Sequence, residues 1–495
     1  MNEIKVKVFN NLTRSKEEFK SVVPGEVRFY SCGPTTYDFL HVGNARALVV
    51  GDLIHRTFKA LGYKVIFTRN FTDVDDKIID KAKQNGVDAL VHSAKFVDEC
   101  IEDTKSLNML PPTHTPKVSD TMKEIIEFVE ELIAKGYAYE KEGEVLYHVP
   151  KFESYGKLSK KDLKSLEHGI RVEVDGHKLH PSDFVLWKPA KEGEPAWDSP
   201  WGKGRPGWHI ECSAMARKFM GKTIDIHHGG VDLQFPHHEN EIAQSEAANG
   251  QEFSRYWCHN EFLNFGKEKM SKSLGNVITI RQFVQNYGGA ILRQVLASVH
   301  YRSTMDWSQE VIERGMNDLE RIHTFIKSYQ ELKKTPSNEA ANSEHLAEVL
   351  KVIPQMKEEL ANDFNTPGAL SHFFGIIRFL NREYLGEGRE KKALSLELIK
   401  AIDELLSFVS LATGLVYDDP APILEKINSA RKNFSTAEGK GGKLSDDEIT
   451  KLISERTEAR KTKNWGRADE IRKIFAEAGI ELKDNPDGTV TWKWK

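Results

Sequence analysis

With 495 residues, 39% of them hydrophobic and 29% charged, the chain is too long for one hydrophobic core and is expected to hold several. No apolar run is long enough to span a bilayer, and residues 1–11 lack the basic-then-apolar pattern of a secretion signal, so membrane insertion is excluded and a cytoplasmic location is expected. The formal net charge of −4 gives no general attraction to nucleic acid, and 4 Cys exclude a disulfide framework, so each thiol is a core residue, a ligand or a nucleophile.

Residues 26–30 alternate Val27 and Phe29 with polar residues, as a strand does, and residues 44–61 carry helical apolar spacing that stops at Gly62. A second strand follows at 64–69. This order predicts a β-loop-α-β unit whose connecting loop, residues 31–46, lies at the carboxyl edge of a parallel sheet, where α/β folds bind ligands. His41, Gly43 and Asn44 then sit at a helix N-terminus, a setting that favours phosphate. Asp73, Asp75 and Asp76 follow the second strand; they read as caps of the next helix, through Ile78, Ile79 and Ala82, rather than as a hard-metal site. Met122, Ile125, Ile126, Val129, Leu132 and Ile133 mark an amphipathic helix ending at Gly136, and Cys100 reads as packing.

From Tyr137 to Pro206 short strand-like pieces, residues 145–149 and 183–187, are punctuated by Gly, Pro and Lys, which reads as an insertion with a basic run at 157–164. The densest chemistry follows: residues 208–212 with His209 and Cys212, residues 225–233 with His227, His228, Gly229, Gly230 and Asp232, and residues 235–241 with His237, His238 and Glu241. On a helix opened by Pro236, His237 and Glu241 share a face four residues apart, and Cys212 completes three zinc-type donors; His238 with Glu241 fits nearly as well. Lys269 and Lys272 flank small hydroxyl residues on a Gly-terminated loop suited to polyphosphate.

These residues together resemble a class I aminoacyl-tRNA synthetase: residues 41–44 are similar to the HIGH motif and residues 269–273 read KMSKS. The resemblance extends to the cysteinyl-tRNA synthetases through Cys32-Gly33-Pro34, Arg69-Asn70 with Thr72-Asp73, residues 206–212, residues 235–241, Tyr301-Arg302-Ser303 and residues 363–367. It implies an enzyme that joins L-cysteine and ATP to cysteinyl-adenylate and passes the cysteinyl group to the 3′-terminal ribose of tRNA(Cys). One Zn2+ per chain would be held by Cys32, Cys212, His237 and Glu241 and select a thiolate, so no editing domain is expected. Gly33, Thr72 and Trp208 would surround the cysteine. His41, Asn44, Lys269 and Lys272 would carry catalysis, with Gly43, Gly229, Gly230 and Asp232 also meeting ATP and its Mg2+. Asn44 stands where the motif ends in histidine, and His228 replaces a glycine, which places a side chain beside the nucleotide edge.

The expected fold is α/β: a Rossmann-like catalytic domain in two halves, residues 1–136 and 207–309, around the insertion 137–206. An α-helical bundle at 310–432, a Gly-rich linker at 433–443 and a small anticodon-binding domain at 444–495 follow. The last opens with Ser445 and Glu448 in capping-box spacing, and the resemblance points to Arg460, Trp465, Asp469 and Asp484 as anticodon contacts. A monomer is expected. Two other functions share parts of the pattern: a cysteine ligase acting on an amino-sugar, which would lack the C-terminal module, and a non-catalytic RNA-binding paralogue, against which the intact His41, Lys272 and zinc-type donors argue.

Overall fold

The structure is a computed structural model that describes residues 4–161, 178–265, 278–385, 392–437, 444, 446–484 and 490–494. In chain order its first elements are β1 (Lys7–Asn10), β2 (Ser15–Glu18), β3 (Glu26–Ser31), α1 (Val42–Ala60), β4 (Lys64–Arg69), α2 (Asp76–Asn85), α3 (Ala89–Ser106) and α4 (Met122–Ala134). Then come β5 (Ala138–Lys141), β6 (Glu144–Tyr147), β7 (Phe184–Pro189), β8 (Gly204–Pro206), α5 (Trp208–Met220), β9 (Ile224–Gly230), α6 (His237–Asn249) and β10 (Ser254–Asn260).

Strands β10, β9, β3 and β4 form, in that order, one all-parallel sheet. The chain runs from β3 through α1 to β4 on one side of β3, while β9 pairs on its other side, so the carboxyl ends of β3 and β9 flank a topological switch point, the usual ligand crevice of such sheets. Strand alternation divides the residues between two faces. Phe29, Ile226 and Tyr256 lie in register across three strands and pack with Val50, Ile54 and Phe58 of α1. The next row, Tyr30, His227 and Trp257, faces the opposite layer; Tyr30 and Trp257 share a core there with Ile210 and Met215 of α5 and Ile242 of α6. The insertion contributes its own antiparallel sheet, β5-β6-β7-β8, whose Tyr147, Leu186 and Trp187 join this second core.

Asp75 caps α2 through Lys77 N, at 2.9 Å, as read from the sequence, whereas Asp73 accepts from Ser119 and Asp76 pairs with Lys188 instead of capping.

Beyond the sheet lie β11 (Leu263–Asn264), α7 (Ile280–Tyr287), α8 (Gly289–Ala297), β12 (Met305–Asp306), α9 (Gln309–Leu332), α10 (Ser343–Leu350), α11 (Val352–Ala361) and α12 (Thr366–Leu380). The chain closes with α13 (Leu396–Thr413), α14 (Ala421–Ala437), α15 (Asp446–Lys461), α16 (Trp465–Glu477), β13 (Ile480–Asp484) and β14 (Val490–Trp494). Buried charge ties these helices to the sheet. Asp52 of α1 accepts from Arg56 at 2.8 Å and Arg293 of α8 at 2.5 Å, and Arg293 also donates to the carbonyl of Thr413 at the end of α13. Asp363, at φ 66, accepts from Phe9 N, Tyr301 Oη and Arg302 Nε, so two motifs 60 residues apart in sequence meet in one hydrogen-bonded knot. Buried Arg46 of α1 donates to the carbonyls of Glu261, His300 and Ser303, fixing the chain after β10 against the first crossover.

One boundary differs from its sequence reading. Helix α14 runs to Ala437, five residues into the stretch read as a linker from 433, because no helix breaker precedes Gly439. The rest of that stretch, and Ser445 of the expected capping box, lie outside the described residues. The C-terminal segment packs α15 and α16 on the β13-β14 hairpin around Ile449, Ile471, Phe475 and Ile480.

Candidate active site and metal centre

The crossover leaving β3 is held at both ends. Cys32 N donates to His228 O at 3.0 Å, extending the ladder by one residue, and Gly33 N donates to Asn70 Oδ1 at 2.9 Å. A Cβ on Gly33 would stand 1.5 Å from Asn70 O, so only glycine fits there. At the far end His41 is the N-cap of α1. Its Nδ1 accepts from Asn44 N at 3.2 Å, and its own N–H donates to Asn44 Oδ1 at 3.1 Å, a reciprocal capping box. The amide oxygen of Asn44 therefore has a job that the sequence did not reveal: it closes the turn that presents His41.

A cleft of about 480 Å³ follows this crossover. Cys32, Gly33, His41, Gly43, Asn44, Trp208, Gly230 and Asp232 all line it, together with Phe262 from the segment after β10. Of the other residues expected there, Thr72 is buried and donates to Glu211 Oε2 at 2.9 Å, and a Cβ on Gly229 would meet the His238 ring at 2.8 Å. Burial, reinforced by Cys212 alongside, pushes the Glu211 carboxyl well above the usual carboxylate range. His228 departs from its expectation. Strand alternation turns it to the α1 face, where it is fully buried with Nδ1 3.0 Å from Ser31 Oγ, rather than beside the nucleotide edge. Lys269 and Lys272 lie outside the described residues. A larger cavity, about 620 Å³, opens among α1, α9 and α13, but Tyr329 and Lys333 are bound to Asp403, and Arg56 is spent on Asp52 and three carbonyls.

At the cleft's inner end four donors converge. Cys32 comes from the end of β3, Cys212 from the second turn of α5, and His237 and Glu241 from one face of α6. Cys32 Sγ lies 3.9 Å from Cys212 Sγ and 3.7 Å from Glu241 Oε1; His237 Nε2 lies 3.7 Å from Cys212 Sγ and 3.0 Å from Glu241 Oε1. Tetrahedral zinc with bonds of about 2.3 Å to sulfur and 2.0 Å to nitrogen or oxygen needs edges of about 3.8, 3.5 and 3.3 Å for S···S, S···N/O and N···O pairs, so this set fits. Cys32, His227, His238 and Glu241 form a second possible set. Its donor distances spread further, from 2.7 Å between His227 and Glu241 to 4.0 Å between His238 and Glu241, and the shortest uses the other carboxylate oxygen.

The surrounding histidines are better read as supports. His227 Nε2 meets Glu241 Oε2 at 2.7 Å, His209 Nδ1 meets His237 Nδ1 at 2.8 Å, and His238 Nε2 lies 3.3 Å from Cys32 Sγ while its Nδ1 meets His259 Nε2 at 2.8 Å. Metal-bound ligands are commonly oriented by such outer hydrogen bonds. Burial pulls His237 down, but Glu241 and Cys212 outweigh it and hold the imidazole at about 10. Burial likewise raises Glu241, and His227 and His237 overcome this to bring it to about 2. The hydrogen bond with Cys32 holds Cys212 down at about 6, while burial drives Cys32 upward. A divalent cation bound by these donors would displace any proton they carry. Tyr30 and His259 carry no sequence signal of a site, and His227 stands only in a chemistry-rich run with no role of its own; the alternation that puts Tyr30 and His227 in one row is the available signal.

In the C-terminal segment Asp484 binds Arg456 at 2.6 and 2.9 Å and Arg460 at 2.6 Å. Trp465, 58% exposed, opens α16, and Asp469 is exposed on the same helix.

The catalytic domain of class I (C) tRNA synthetases matches residues 18–317, and a DALR domain matches residues 355–410. Among solved structures, Mycobacterium tuberculosis methionyl-tRNA synthetase in complex with methionyl-adenylate aligns with a TM-score of 0.59 and 15% identity over 81% of this chain and 93% of its own, which supports the fold alone. A Cysteine--tRNA ligase of Geobacter sulfurreducens is 45% identical over 492 residues, covering 99% of this chain and 100% of the relative. One from Halalkalibacterium halodurans is 43% identical over 488 residues, at 99% of each. Similarity sustained from end to end at that level places the chain in the cysteine--tRNA ligase family of class I aminoacyl-tRNA synthetases.

Proposed function

We propose that the cleft seats both reactants of cysteine activation, the thiol end of L-cysteine against Cys32, Cys212, His237 and Glu241 and the phosphates of ATP against the N-terminus of α1. The observation that carries this reading is that a single crossover supplies both Cys32 and the His41–Asn44 capping box to the lining of one cleft. When bound, zinc supplies a soft Lewis acid that prefers a thiolate to the hydroxyl of serine. Gly33 and Trp208 border the amino-acid end, and Trp208 stacks on His237 with centroids 4.2 Å apart. Thr72, whose hydroxyl donates to Glu211, belongs to the same amino-acid end.

For the reaction itself, the cysteine carboxylate attacks the α-phosphate of ATP, pyrophosphate leaves, and the 3′-terminal ribose of tRNA(Cys) then takes the cysteinyl group. No protein nucleophile is required. The helix N-terminus and His41, with Asn44 holding that turn closed, stabilise charge developing on the phosphates; Lys269 and Lys272 act on the same phosphates, Mg2+ accompanies ATP, and Asp232 faces the ribose. Gly43 and Gly230 let the nucleotide approach the backbone. Arg460, Trp465, Asp469 and Asp484 form the anticodon-reading surface. One chain suffices, and the enzyme acts as a monomer.

Cysteine-dependent ATP–pyrophosphate exchange tests the reading. Exchange with cysteine and essentially none with serine is the expected result; equal exchange with both amino acids would overturn selection by the metal centre.

A further inference from the structure

Four thiols are present, and their settings differ. Cys100 and Cys258 are buried in separate cores, the second with only a backbone carbonyl at 4.0 Å from its sulfur. Cys212 is equally buried. Cys32 alone among them reaches solvent, as part of the wall of the substrate cleft, and its Sγ stands 3.9 Å from Cys212 Sγ. A disulfide bond of about 2.05 Å would require the two sulfurs to close by roughly 1.9 Å. Cys212 lies within the second core and Cys32 packs against it, so the two sulfurs share one neighbourhood.

We propose that Cys32 and Cys212, when no ion holds them, are a peroxide-sensitive pair that closes to a disulfide and shuts the metal centre. The proposal rests on the reading that both sulfurs hold zinc. The chemistry divides by exposure. Hydrogen peroxide entering the cleft meets Cys32 first: the Cys32 thiol, its proton relayed by the Cys212 sulfur 3.9 Å away, attacks one peroxide oxygen, the O–O bond breaks, the departing hydroxide takes that proton and leaves as water, and a sulfenic acid remains. Cys212 then attacks that sulfur; the S–S bond forms as the S–O bond breaks, and a second water leaves. Two thiols lose two electrons and two protons in all, and one peroxide becomes two waters. Both sulfur donors are withdrawn together, whereas the α1 capping box that serves the phosphates is untouched. The lesion therefore removes the amino-acid end of the cleft and leaves the nucleotide end, and a dithiol reductant reverses it. With zinc in place both sulfurs are engaged and the first step is slowed.

The test uses the full chain in two states, zinc-loaded and stripped with a chelator, each treated with hydrogen peroxide and read by thiol titration after denaturation, intact mass and peptide mapping. The stripped protein is expected to lose two of its 4 thiols, to fall by about 2 Da, and to yield a Cys32–Cys212 cross-linked peptide; dithiothreitol restores the thiols and zinc uptake. Cys212→Ser should halt at a sulfenic acid on Cys32, a gain of about 16 Da that a dimedone probe captures. A mass gain in the wild-type chain with no cross-linked peptide, or a cross-link to Cys100 or Cys258, would overturn the proposal. Equal cross-linking with and without zinc would leave the disulfide established and reject instead the assignment of both sulfurs to the metal.

Discussion

Glu241 and His227 meet inside the protein with Oε2 and Nε2 2.7 Å apart, both side chains wholly buried. The contact divides the two oxygens of one carboxylate between different partners, because Oε1 faces His237 and Cys32. His227 is itself held by a parallel stack on Trp257, with centroids 4.6 Å apart. Its removal should leave the four donors present but Glu241 free to rotate. His227→Ala is expected to weaken zinc binding by about 10- to 100-fold in chelator competition, with His227→Gln recovering part of the loss. Unchanged affinity in both variants would show that Glu241 is oriented by the helix alone.

Thiol substitutions separate the metal centre from the cores. Cys32→Ser and Cys212→Ser should each abolish stoichiometric zinc, measured by elemental analysis after dialysis, while Cys258→Ser, in the core beneath α1, should retain it. Zinc retained by Cys212→Ser would favour the other set, Cys32, His227, His238 and Glu241.

The buried Asp52 gives the stability of the protein an acid limb. Burial acts to raise its pKa, but Arg293 and Arg56 outweigh burial and hold it below the usual carboxylate value. A folded-state pKa below the unfolded value of about 3.9 means that the contribution is complete above that value and is lost as pH falls toward the folded one. Asp52→Asn should destabilise by about 3–5 kcal/mol near neutrality, since two buried guanidinium groups lose their counter-charge. The deficit relative to wild type in urea unfolding should shrink below about pH 4. A pH-independent deficit would mean that the shape of the side chain, not its charge, holds the bundle to α1.

Ending the chain at Lys440 removes α15, α16 and the terminal hairpin. Pyrophosphate exchange with cysteine should be unaffected, and charging of tRNA should fall. Trp465→Ala in the whole chain should cost about 1–3 kcal/mol of tRNA affinity if the exposed indole stacks on a base. Equal tRNA binding by both proteins would assign the anticodon elsewhere.

Much of this architecture was legible because it rests on local pattern. Lys64–Arg69 is a strand over the same residues in sequence and structure, and His237 and Glu241 share a helix face as their four-residue spacing requires. What escaped depended on which face of a strand a residue takes and on partners far along the chain. His228 was expected at the nucleotide edge, but two adjacent strand residues point to opposite faces, so if His227 meets Glu241 then His228 must turn under α1. The partner of the Thr72 hydroxyl, Glu211, lies 139 residues away, beyond the reach of any local pattern. Spacing alone left His237 and His238 both open and the family resemblance chose His237; both are buried beside Glu241, with Nε2 at 3.0 Å and 4.0 Å from its Oε1 respectively. Asn44, read as a weakened histidine, proved to be the residue whose oxygen binds the N–H of His41.

Cys32 and Cys212 are 180 positions apart in the chain, yet their sulfurs lie within 3.9 Å. Everything between them, including the antiparallel sheet of the insertion, is one closed loop once the two ends meet. The entropy of closing a loop rises only logarithmically with its length, by about 0.6 kcal/mol per doubling. Descendants of this chain can therefore lengthen or trim that span with little penalty to the junction. The same topology makes the junction a late event: it exists only after β3, α5 and α6 have docked, so uptake of an ion there would report that the catalytic half of the molecule has finished folding.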